Sequence, residues 1–244
     1  MTDDIKAYAS EFFGTAILMI AGVSAISLSF GESSQVGSLI PNQILRLAFA
    51  GAGFGLGAVV VVYSTLGQTS GGHLNPALTI AFWMQDKIET KKLAPYIVSQ
   101  CLGSLAGTAL VAIVIPELSS SVGHGVTNVA EIITPGMAIL LEAFLMMIFV
   151  LMIFWMTASH ERSRYTGLMV FLYLVVFVPL EGPLTGTSIN PARSIGPAIV
   201  ANNYADLAVY IIGPIIGAVA GTLIARYILN HRPRCKRVCP LSKA

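Results

Sequence analysis

The sequence predicts an all-α membrane protein: six transmembrane helices plus two re-entrant half-helices, arranged as an inverted three-plus-three repeat. Three observations predict it. Of the 244 residues, 55% are hydrophobic and only 11% are charged, with a mean hydropathy of +0.77; a soluble domain carries about a quarter charged residues, so this composition is suited to lipid. The apolar residues gather into six stretches, each close to the roughly 20 residues that cross a bilayer core. The tripeptide Asn-Pro-Ala stands at 75–77 and again at 190–192, each time after an apolar stretch.

The stretches cover roughly 9–30, 43–66, 93–115, 135–158, 166–182 and 207–229, the fifth being the shortest. Pro41, Pro116 and Pro135 mark loops between them. The opening residues, Met1 to Lys6, lack a basic region followed by a small-residue cleavage site, so the first stretch reads as a retained span. Counting six spans puts Lys6, Lys87, Lys91, Lys92, Arg162, Arg164 and the basic residues from Arg226 to Lys243 on one side; the connection 116–134 has no Lys or Arg. Positive charge stays in the cytoplasm, so both termini are expected there, in a plasma or cytoplasmic membrane. Residues 1–244 read as one transmembrane domain, with repeat halves at about 1–118 and 132–230 and a basic cytoplasmic tail at about 231–244. That leaves no length for a soluble catalytic domain. Cys101 lies in an apolar stretch and Cys235 and Cys239 in the tail, which implies no disulfide framework.

The repeat extends beyond the tripeptide. Glu11 sits in the first apolar stretch and Glu142 in the fourth. Three spans per half is an odd number, so the halves run oppositely through the membrane. Each Asn-Pro-Ala reads as a helix start, because Asn is a favoured N-cap and Pro suits the first helical position. The apolar runs that follow end near Met84 and Val200. About ten helical residues span about 15 Å, half of a hydrocarbon core of about 30 Å. The two half-helices therefore enter from opposite sides, with their N-termini meeting near the midplane. Non-helical backbone is expected at 69–74 and 185–189; it cannot face lipid and must line a watery path. Each Asn carbonyl can cap its own helix and leave the NH2 free to donate into that path. Two such donors, backed by two positive helix ends, would hold a water oxygen from both sides, interrupt a proton-conducting chain and repel cations. Arg193 follows the second motif where the first has Leu78. A lone Arg at this depth is costly, so it is expected to face the path.

Asn75-Pro76-Ala77, Asn190-Pro191-Ala192-Arg193 and the paired Glu11 and Glu142 resemble the aquaporin (major intrinsic protein) family, of the water type rather than the glycerol-facilitator type. The resemblance runs from Glu11 to the stretch Gly213–Gly217. It implies a passive channel and not an enzyme, without cofactor or metal, that assembles as a homotetramer with one pore per subunit. Its partners would be water, small neutral solutes and the lipid bilayer, not nucleic acid. The resemblance also implies a selectivity constriction formed by Phe54, Val178, Thr187 and Arg193. An ungapped count puts Gly55 in place of Phe54, but helical register favours Phe54. Water-selective members carry His where this chain has Val178, so a wider, less polar opening is expected, passing hydrogen peroxide, ammonia or urea besides water. Glycerol facilitators carry Asp after the motif Arg, where this chain has Ser194. By the same resemblance Glu11 and Glu142 bond the re-entrant loops. His73 lies in the inner pore lining, as a loop-stabilising hydrogen bond or in contact with the permeant.

Other residues have plainer readings. Glu181 is expected as a solvated rim charge, and His124 as a solvated residue of the long outer loop. His231, Cys235 and Cys239 recur every four residues, which on a helix gives one metal-binding face. No fourth ligand accompanies them, and the basic residues around them read more simply as holding the tail to an anionic leaflet. Gly213, Gly217, Gly221, Gly103 and Gly107 are expected as packing seams. Met146, Met147, Met152 and Met156 are core or lipid-facing filler. An ion-coupled transporter shares the inverted-repeat plan, but the ionisable residues at depth are Glu11, Glu142 and Arg193, all of which the resemblance already employs.

Overall fold

The computed structural model describes residues 2–32 and 34–228. In chain order its principal helices are α1 (Asp3–Phe30), α2 (Gln43–Tyr63), α3 (Pro76–Met84), α4 (Thr90–Val114), α5 (Pro135–Thr157), α6 (Thr166–Thr185), α7 (Pro191–Ala201) and α8 (Leu207–Leu223), the last continuing through Ile228. Six of them are long and apolar enough to cross a bilayer; α3 and α7 are the short ones. No strand occurs among the described residues.

Local chemistry sets the helix starts. Thr2 accepts from the Ile5 amide at the head of α1, Asn42 from Leu45 in α2, and Thr134 from Met137 in α5, where Pro135 takes the first position. Asp3 and Asp4 add negative charge at the positive end of α1.

Glycines set the packing. In lipid no hydrophobic force drives helices together, so close backbone approach has to supply the contact energy. A Cβ on Gly217 of α8 would lie 2.1 Å from the Ala143 carbonyl oxygen of α5. One on Gly103 of α4 would lie 2.1 Å from the Phe12 carbonyl oxygen of α1. These are matching seams in the two halves, since α1 with α4 repeats as α5 with α8. The halves also interlock: α7 packs on α4 and α3 on α8. At Gly196 of α7 a Cβ would come within 2.6 Å of the Ser104 backbone.

The two faces of the slab are tied separately. On one, Lys92 bridges Asp4 at 2.7 Å and Glu89 at 2.8 Å, Arg226 donates to the Met84 carbonyl and Tyr63 to that of Arg164. We call this the basic face. On the far face the Glu32 amide donates to Ser121 and the Val129 amide to Asp206. Between the faces, Phe13, Leu56, Leu102, Phe144, Leu180 and Ile216 turn outward, as lipid-facing side chains do.

Several boundaries differ from the sequence reading. Residues 69 and 70, expected to be open, instead end a helical turn at Thr65–Ser70, because Ser64 caps that turn and Gly71, at φ 107°, closes it. The non-helical approach to the first motif is therefore residues 71–75. Helix α6 runs on to Thr185 and is closed by Gly186 at φ 79°. Residues 116–134 contain the turns Pro116–Ser121 and Gly123–Gly125. His231, Cys235 and Cys239 lie outside the described residues.

Candidate functional site

Two buried glutamates shape the re-entrant loops. Leu74, Gly72 and Gly71 in the first loop have positive φ, as do Gly186, Thr187 and Ile189 in the second. Such backbone turns consecutive N–H groups toward one side, forming an anion-binding nest. Glu11 fills the first: its Oε1 accepts from the His73 amide at 3.0 Å and its Oε2 from the Leu74 amide at 2.8 Å. Gln100 of α4 donates to Glu11 at 2.7 Å and to Thr79 at 2.9 Å. Glu142 fills the second, accepting from the Ser188 amide at 2.8 Å and the Ile189 amide at 2.6 Å. Both carboxylates are completely buried.

The asparagines close the loops and open the half-helices. Asn75 Oδ1 accepts from the Ala77 amide at 2.9 Å, and Asn190 Oδ1 from the Ala192 amide at 3.1 Å. Their amide groups cross between the halves: Asn75 Nδ2 donates to the Ile189 carbonyl and Asn190 Nδ2 to the Leu74 carbonyl, each at 2.9 Å. The NH2 groups are thus not wholly free, as read from sequence; one hydrogen of each joins the halves and the second remains. Pro76 and Pro191 occupy the first helical positions. Ala77 and Ala192 have no exposed surface, so the two tips meet through small side chains.

One cavity of about 310 Å³ runs past both motifs, from Phe30 and Gly125 toward the far face to Val62 and Ile153 toward the basic face. A single water needs only about 10–15 Å³ of such space. Phe54, His73, Asn75, Val178, Thr187, Asn190 and Arg193 all line it. Arg193 lies 5.1 Å from the centre of the Phe54 ring and donates to the Gly125 carbonyl at 2.8 Å. The Phe54 ring fits because residue 22 is glycine, where a Cβ would sit 2.1 Å from ring atoms. Gly55 instead packs against Phe171. His73 lines the cavity and is also fixed, stacked on Phe82 at 4.6 Å with Nδ1 3.3 Å from Thr79 Oγ1.

Two sequence expectations need correction. Glu181 is not a solvated rim charge: it is 5% exposed, with Oε2 accepting from the Thr187 hydroxyl at 2.6 Å and Oε1 in contact with the Thr185 hydroxyl. One turn of helix separates it from Thr185, a spacing visible in the sequence. His124 is half-buried, with Nδ1 2.9 Å from Ser119 Oγ. Sequence reasoning also missed Gln100 and the trio Thr127, Ser188 and Ser194, whose hydroxyls join at 2.9 Å and 2.6 Å. No spacing rule links such distant positions.

The family described as major intrinsic protein matches residues 1–225. Aquaporin-4 of Mus musculus is 34% identical over 237 residues, covering 95% of this chain and 70% of that protein. Probable aquaporin AqpM of Archaeoglobus fulgidus is 34% identical over 244 residues, covering 93% and 98%. Glycerol uptake facilitator protein-like 6 of Lactiplantibacillus plantarum is 32% identical over 229 residues, covering 91% and 97%. Among solved structures, the aquaglyceroporin from Plasmodium falciparum shares the fold with a TM-score of 0.78 at 20% identity, covering 93% of this chain and 97% of that one. Relatives named for water and for glycerol match alike, so they do not distinguish the solute. With six membrane-crossing helices and a family match over nearly the whole chain, this integral membrane protein belongs to the major intrinsic protein (aquaporin) family, whose members are passive channels for water or small solutes and not enzymes.

Proposed function

We propose that this chain is a water channel that also passes small neutral solutes such as hydrogen peroxide, ammonia or urea, and excludes protons and ions. The observation that carries this reading is the convergence of Asn75 and Asn190, each capping a half-helix, on one cavity. Each asparagine keeps one amide hydrogen for a passing oxygen. The positive ends of α3 and α7 then orient a water with its hydrogens pointing away from the midplane. A proton wire is broken there, and cations meet like charge.

The solute range follows from the constriction. Arg193 adds fixed positive charge, and its remaining guanidinium donors have no protein acceptor among the described residues. Val178 offers neither donor nor ring, so the opening is wider and less polar than one closed by an imidazole. Glycerol conduction is the second reading, favoured by the apolar Phe54 and Val178 wall. Against it stands Ser194, which is engaged with Thr127 and Ser188. In the cell the chain works as a homotetramer in a plasma or cytoplasmic membrane, with the basic face and both termini cytoplasmic.

Stopped-flow light scattering on proteoliposomes tests the proposal. Water flux with a low activation energy, together with urea or peroxide flux above that of empty liposomes, is the expected result. Glycerol flux comparable with urea flux would establish the second reading. Water flux with no passage of any other solute would refute the wide constriction.

A further inference from the structure

We propose that Glu181 is a proton-holding positioning residue, a carboxylic acid at neutral pH whose proton organises the constriction and whose loss closes the channel. Hydrogen-bond accounting around Thr185 carries the inference. Its hydroxyl contacts two carboxyl groups, Glu142 Oε1 at 2.7 Å and Glu181 Oε1. It also accepts from the Thr187 amide at 3.3 Å. A hydroxyl has one hydrogen to give and two lone pairs. It can donate to one carboxyl only; the other must bring its own proton and donate to it. Glu142 already accepts from the Ser188 and Ile189 amides, which favours its charged form. The proton therefore sits on Glu181.

With that proton every bond is satisfied in one direction. The Thr187 hydroxyl donates to Glu181 Oε2, Glu181 Oε1–H donates to Thr185, and Thr185 donates to Glu142. Thr187 and the adjoining Gly182 and Val178 line the cavity, so the chain begins at the lumen wall. Among the described residues the first repeat has no counterpart, for Glu11 is bonded by amides and Gln100 and by no second acid.

The titratable and charged neighbours are few. Glu142 faces the cluster from α5, and Tyr210 of α8 donates to the Thr185 carbonyl at 2.8 Å. Tyr173, on the helix of Glu181 itself, donates to Leu145. Arg193 of α7 is held by Gly125 and the Phe54 ring, and Arg46 of α2 turns to Pro41. None of these is ion-paired with Glu181 among the described residues. When the proton leaves, two like charges face one hydroxyl. Glu181 then leaves the cluster for the adjoining open space, the lumen beside Gly182, and Thr187 loses its anchor.

The test is water permeability of proteoliposomes scanned from about pH 5 to about pH 9, between the ordinary carboxylate and tyrosine ranges. The wild type is expected to lose permeability as pH rises. Glu181→Gln, whose amide donates to Thr185 and whose carbonyl accepts from Thr187, should hold the wild-type acid level at every pH. A flat wild-type profile, or an unchanged profile in Glu181→Gln, overturns the proposal. Infrared spectroscopy of the wild type needs no variant: a protonated-carboxyl band at neutral pH should vanish on alkalinisation, and its absence at neutral pH overturns the assignment. The permeability arm rests on the water-channel reading, but the infrared arm does not, so failure of one is distinguishable from failure of the other.

Discussion

Asn75 and Asn190 each perform two structural tasks with one side chain, the carbonyl capping a half-helix and one amide hydrogen joining the repeats; in the proposed channel the second amide hydrogen meets the permeant. Aspartate could cap equally well, but it cannot donate and it brings a negative charge. Asn190→Asp is therefore expected to admit cations, with leak raised about tenfold for each ~1.4 kcal/mol by which the barrier falls; ion flux across planar bilayers measures it. Arg193→Val should keep water flux and raise urea flux severalfold, since it removes the charge that stands against the Phe54 ring. A solute panel that leaves urea flux unchanged would count against Arg193 as a selectivity residue. Asn-Pro-Ala was legible at this scale because capping is local chemistry. Glu181 was misread because a charged residue near a helix end looks solvated until its neighbours are known.

Helices in this protein are held by backbone contact at glycines and by buried acids under loops. Gly217 meets the Ala143 carbonyl so closely that a methyl group has no room. Gly217→Ala should cost about 1–3 kcal/mol as overpacking, seen as a lower unfolding temperature in detergent. Glu142→Gln keeps the shape but weakens bonds to the Ser188 and Ile189 amides. Hydrogen bonds to a charged group contribute about 1.5–3 kcal/mol each, so this variant should unfold earlier and conduct less. A variant as stable as the wild type would argue against an ionised Glu142. The glycine seams were legible from their four-residue spacing in apolar stretches. The helical turn at residues 65–70 was not, because Ser64 and Gly71 act as caps only once the chain turns back under α2.

The whole molecule is two halves of opposite direction that share one cavity. Each half supplies a half-helix that packs on the last span of the other, so neither half encloses a path alone. A path enclosed in this way needs no moving bundle, and the proposed channel's flux should rise in proportion to the gradient without saturation. Tracer uptake in vesicles checks this: accumulation of solute against its gradient, driven by an imposed ion gradient, would convert the channel reading into that of a coupled transporter.

The sequence alone determined that the chain crosses a membrane six times, that its halves are inverted copies and that two asparagines begin short helices. Each of these follows from properties that accumulate along the chain: hydropathy over a span, an odd number of crossings, and the capping chemistry of adjacent residues. Only the tertiary structure decided that the asparagine amides bond across the repeats, that Phe54 and not Gly55 reaches the cavity, and that Glu181 and Glu142 share the hydroxyl of Thr185. Those are meetings of residues far apart in the chain or turned by a fraction of a helical turn. Their energies depend on desolvation and direction, which linear order does not encode.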